Sequence, residues 1–191
     1  MSRRNDLNAR QLARIRPYVT GLVLLAEGAH LLWQHLHGGV VSHHLLHRAD
    51  LPAISNWWGA LLLPALTWFL LGRTRKRLLL RGDRKDAASK APDGVLLGFL
   101  GALIWGGLLA AAFTCNYETI TSSLFLGLLV LALLLPVHRA ECLLGFVLGM
   151  AFTFGAVLPT LVGSVIAGLS AAVRLGLWPL VVRGWRRVTA R

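Results

Sequence analysis

The stretch GVLLGFLGALIWGGLLAAAFT, Gly94 to Thr114, runs for 21 residues without a charged side chain. About 20 such residues are what an α-helix needs to cross a hydrocarbon core roughly 30 Å thick. In lipid every backbone amide must be satisfied inside the segment, and the run lacks the strict alternation of a barrel strand, so it reads as a helix. Working outward, five more segments have the same character, near 18–36, 56–72, 121–137, 141–158 and 160–182. Only Pro159 and its neighbours separate the last two, which leaves a five-span alternative. The expectation is an all-α, polytopic membrane bundle of about six transmembrane helices, forming a single domain over 1–191.

The composition agrees. Of 191 residues, 55% are hydrophobic and only 15% charged, with a mean hydropathy of +0.62. Soluble domains are about one quarter charged, so a soluble globular fold is excluded at this stage. Lys and Arg number 20 against 8 Asp and Glu, a net charge of +12. Eighteen of the 20 basic residues fall on alternate connections: before residue 18, in a basic loop over 73–93, at Arg139, and after Val182. The positive-inside rule then puts both termini in the cytoplasm of a bacterial inner (plasma) membrane. The partner implied by this charge is the lipid bilayer, not nucleic acid. Nothing before Tyr18 has the apolar core and small-residue cleavage site of a signal peptide, so the first segment is expected to stay as a span. Cys115 and Cys142 form neither a disulfide framework nor a zinc motif.

Polar chemistry is concentrated on the outer side. Six of the seven histidines lie between His30 and His47, at the end of the first span and in an external loop over 35–55. Within span 1, Glu27, His30, Gln34 and His37 are spaced by three, four and three residues, which sets them on one helical face. Glu27 is about nine residues, or roughly 13 Å, from the cytoplasmic edge at Tyr18. A carboxylate at that depth needs a partner, and His30 is one turn away. Ser55 or Asn56 caps span 2, ahead of Trp57 and Trp58 in the outer aromatic belt.

Clustered imidazoles beside a carboxylate are the donor set of a transition-metal site, zinc ahead of copper or haem iron. His30, His35, His37, His43, His44 and His47 are the candidate ligands, with Gln34, Asp50, Cys115 and Glu118 as supporting groups. Glu27 would then be the base for a metal-activated water attacking a lipid-borne substrate. His43-His44-Leu45-Leu46-His47 resembles one histidine box of the membrane desaturases and hydroxylases, which carry several boxes on cytoplasmic segments; here there is one region, on the opposite side. Glu27, the histidine cluster and Ser55-Asn56 resemble isolated residues of the ceramidase-like membrane hydrolases, without a matching C-terminal histidine pair.

Two other functions fit the same residues. In one the chain is a non-enzymatic scaffold or partner subunit, the span 1 stripe being a hydrogen-bonded packing seam. In the other it is a small-solute transporter with its site at Glu27, although the second half of the chain has almost no ionisable groups. The glycines of spans 3 and 5, with Gly163, Ala167 and Ala171 in span 6, allow close helix approach within the bundle, to a partner helix or in a homo-oligomer.

Overall fold

A computed structural model describes residues 2–44, 53–82 and 91–177. Its architecture is all-helical apart from one small ribbon. The elements are α1 (Ser2–Leu36), β1 (Ser42–His44), β2 (Ala53–Ser55), α2 (Trp57–Gly82), α3 (Ala91–Thr114), α4 (Glu118–Leu134), α5 (Ala140–Phe154) and α6 (Val157–Ala171), the last continued by a π-helical segment, Ala172–Leu177. Two helical segments, Gly94–Thr114 and Val157–Gly176, are long and apolar enough to cross a membrane; α4 and α5 are as apolar but shorter. The expected basic tail after Val182 and the loop residues 83–90 lie outside the described residues.

Helix ends depart from the apolar boundaries in a consistent way. The first helix begins at Ser2, well before the apolar run at Tyr18, and α2 continues to Gly82 through Arg73-Thr74-Arg75-Lys76-Arg77, part of the expected loop. Arginine, lysine and leucine are good helix formers, so a helix carries on where hydrophobicity stops. At 35 residues α1 is about 50 Å long, well over a bilayer core. Where its charged and apolar portions meet, Arg16 donates from Nε to the carbonyl of Trp68 at 2.9 Å and lies 3.8 Å from the centroid of the Trp68 ring.

The C-terminal end of α1 is set by two glycines. Gly38 and Gly39 have φ of 113° and 103°, a region costly for residues with a Cβ. Gly39 N–H returns to the carbonyl of Gln34 at 3.0 Å, in the manner of a Schellman ending. The chain then enters the antiparallel β1–β2 ribbon, with Ser42 opposite Ser55, His43 opposite Ile54 and His44 opposite Ala53. These strands fall within the expected His-rich loop, and their three-residue length leaves no readable period in the sequence.

α5 is the hub. Val147 and Ala151 join Leu63 and Ala156 in one apolar cluster, while Phe146 and Met150 join Leu109, Leu128, Ala132 and Ile166 in another. Its Gly-x-x-x-Gly permits this. A Cβ on Gly145 would collide with the carbonyl oxygen of Phe99, and one on Gly149 with that of Leu103, so α3 and α5 meet backbone to backbone. On α3, Gly106 sits against the backbone of Phe146 in the same way. The small-residue face of α5 is therefore used within the chain.

Candidate functional site

The 3–4 spacing on α1 brings Glu27, His30 and Gln34 into the α1–α2–α5 interface. Glu27 and Gln34 are each 7% exposed, and the His30 side chain 10%. Glu27 lies against Gly59 of α2, whose missing side chain makes room for its carboxylate; a Cβ there would overlap Oε1. His30 Nδ1 is 3.8 Å from Glu27 Oε2, and the imidazole stacks on Phe152 of α5 with ring centroids 4.5 Å apart.

The chain of polar contacts continues outward. Gln34 Oε1 accepts the backbone N–H of Val41 at 3.2 Å and Nδ2–H of buried Asn56 at 3.4 Å. Asn56 N–H in turn donates to the carbonyl of Val41 at 3.0 Å. One seam thus ties α1, the start of α2 and the approach to β1 together.

Donor and acceptor bookkeeping orients this seam. Because Gln34 Oε1 takes a backbone N–H, the amide nitrogen must be the atom that faces His30, at 2.9 Å from its Nε2. An amide N–H can only donate, so His30 Nε2 is an acceptor and the ring proton sits on Nδ1, towards Glu27; the network assigns the tautomer. A metal would need the very lone pair that Gln34 occupies. Among the described residues no group of three His, Cys, Asp or Glu is arranged to hold a metal ion.

The other expected site residues are dispersed. His35 and His37 are exposed. His37 left the stripe because α1 ends at Leu36; its Nδ1 is 2.8 Å from the carbonyl of Trp33 and its ring stacks on that indole. His43 and His44 are placed by their backbones on β1, whereas His47 and Asp50 fall outside the described residues. Cys115, on the turn after α3, is an exposed free thiol, and Glu118 is exposed in the first turn of α4, where the helix dipole favours an acid. Ser55 Oγ accepts from Trp57 N–H at 3.4 Å as the start of α2 requires, which leaves Asn56 to Gln34.

Sequence reasoning missed a second polar centre at the opposite end of the bundle. Arg77 of α2 donates to Glu141 of α5 at 2.6 Å, and Thr74 lies 3.4 Å from the other carboxylate oxygen. Glu141 is only 2% exposed. A lone acid opening an apolar segment, right after His138-Arg139, was the available signal, since such a group needs a cation. The partner lies 64 positions away, on residues read as a loop.

Comparison with protein-family models, with curated proteins and with solved structures finds no match to this chain.

Proposed function

We propose that this chain is a multi-span component of a bacterial inner membrane, with both termini cytoplasmic, and that it serves as a non-enzymatic scaffold organised by the Glu27–His30–Gln34–Asn56 seam. The membrane setting is supported by which way the apolar residues face. Only 22% of the Gly94–Thr114 window is buried, whereas the core helix of a soluble protein would be mostly covered. Leu25, Leu97 and Val165 are each more than 70% exposed, on three different helices, an arrangement that water would penalise and lipid would not. Alternate connections carrying the arginines give the orientation.

The scaffold role rests on one observation: the acceptor nitrogen of His30 is used by Gln34, and Gln34 by Asn56 and Val41. The groups that chemistry would need are engaged in holding helices together. Polar side chains between membrane helices do this at about 1 kcal/mol per contact. The test pairs two variants. Gln34→Ala is expected to lower the thermal stability of detergent-purified protein, and replacing His43, His44 and His47 together by Ala to leave it unchanged, with no stoichiometric metal in wild type by elemental analysis.

A second reading, the transition-metal site, draws on the backbone position of β1. The ribbon holds the backbones of His43 and His44 next to the segment whose Val41 bonds Asn56, at the end of the seam away from Glu27. One equivalent of zinc in wild type, lost in the triple histidine variant, would establish that reading and overturn the first.

A further inference from the structure

At the end of the bundle away from the seam, two cavities adjoin. One, of about 420 Å³, is lined by basic residues from three elements: Arg73 and Arg77 of α2, His138 and Arg139 from the α4–α5 turn, and Arg174 on the π-helical continuation of α6. Among the described residues no acid lines it, and Glu141 is bound to Arg77. The other cavity, also about 420 Å³, lies among α3, α4, α5 and α6 and is walled by such residues as Trp105, Leu131, Phe146 and Ile166. Pro136 and Arg139 line both. A volume of this size is within the range of small-molecule sites.

The basic cavity is held in place by the fold. Arg174 donates to the carbonyl of Leu134, and Ser170 to that of Leu135 at 3.2 Å, so two carbonyls at the end of α4 tie α6 to it. Arg77 is oriented by Glu141. Two polar atoms of the lining side chains, Arg77 Nε and His138 Nδ1, are buried and have no hydrogen-bond partner among the described residues. Buried polar atoms are seldom left so, and in a wall of arginines the group that satisfies them is an oxyanion.

We propose that the chain binds an anionic phospholipid here, its headgroup phosphate among Arg73, Arg77, Arg139 and Arg174 and an acyl chain in the apolar cavity beyond Arg139. The charge of one cavity and the apolar wall of the other, joined at a shared arginine, match the two halves of such a lipid. Basic pockets between membrane helices on the cytoplasmic side are where such headgroups bind. The inference rests on the membrane reading, which flotation with vesicles of neutral lipid tests separately: failure to float removes the setting, whereas floating together with equal affinity for the anionic and neutral lipids on titration removes only the site.

Native mass spectrometry of the detergent-solubilised chain, titrated with phosphatidylglycerol or phosphatidylcholine, measures the site. One saturable phosphatidylglycerol adduct is expected, at least tenfold tighter than phosphatidylcholine. Arg73→Gln with Arg139→Gln is expected to weaken it about tenfold or more, and Ala167→Phe, which fills the apolar cavity, to weaken it comparably. The exposed pair Arg75→Gln with Lys76→Gln is the control and should leave it unchanged, with melting curves verifying that each variant is folded. Equal affinity for the two lipids, or an equal loss in the control, would overturn the proposal. So would glycerol 3-phosphate competing with phosphatidylglycerol at comparable concentration and binding the Ala167→Phe variant normally, which would make the ligand a soluble phosphate.

Discussion

The two polar centres sit at opposite ends of the same apolar bundle and are built on opposite principles. At the Glu27 end, Asn56 donates to Gln34 and Gln34 to His30, whose Nδ1 lies 3.8 Å from Glu27 Oε2. At the Glu141 end, Arg77 and Glu141 pair closely, but Arg77 Nε and His138 Nδ1 have no hydrogen-bond partner among the described residues and a basic cavity opens beside them. A polar group in an apolar setting either finds a partner in its own chain or awaits one from outside. The first case is the one proposed for the seam, the second the one proposed for the basic cavity. Histidine content counts donors without showing which are in use, and at His30 the described contacts show Nε2 facing the amide nitrogen of Gln34.

The contrast breaks most readily at its ion pair. Arg77→Ala leaves Glu141, 2% exposed, without its counter-charge, and should cost about 3 kcal/mol of stability in chemical unfolding from mixed micelles. Replacing both, Arg77→Met with Glu141→Leu, should recover most of that loss if the pair is structural in isolation. Next comes steric invasion of the seam: Gly59→Ala drives a methyl into the Glu27 carboxylate and should cost roughly 1–3 kcal/mol in the same assay, with Glu27→Ala in the same chain restoring part of it. Gln34→Ala removes one partner from Asn56, Val41 and His30 together and should cost about 1–3 kcal/mol.

The smallest effect is a pH dependence at the Glu141 end. Burial, and then Arg139, Arg174 and Arg77, hold His138 below the usual histidine range, against an opposing pull from Glu141. A lowered folded pKa means that protonation favours the unfolded chain. Stability should therefore be level above about pH 6.5 and decline as pH falls from there towards the folded value, and His138→Gln should flatten that decline. Melting temperatures between pH 8 and pH 5 decide it; an unchanged slope in the variant would assign the decline to other groups.

Much of the helical pattern was legible because apolar runs and their basic flanks are local signals. Each of the six expected segments overlaps a helix, and the largest errors are at α1 and α2, where helix and hydrophobicity end at different residues. The three- and four-residue spacing put Glu27, His30 and Gln34 on one face, since that depends only on helical periodicity. His37 was placed with them and is not, because whether α1 reaches it depends on Gly38 and Gly39 adopting positive φ. Ser55 or Asn56 read as the cap of α2, and Ser55 fills that role; the bond of Asn56 to Gln34 is a tertiary contact 22 positions away. Arg77 and Glu141 were hidden for the same reason, each looking ordinary until the fold brings α2 against α5.

His30 is the joint on which the seam depends. Its ring nitrogens, read by ¹⁵N NMR on histidine-labelled protein with His30→Gln for assignment, report directly whether the seam is closed. The prediction is a neutral imidazole protonated at Nδ1, with Nε2 as an acceptor whose signal moves in Gln34→Ala. A proton or a metal on Nε2 at neutral pH would contradict it, because Gln34 could not then donate to that nitrogen.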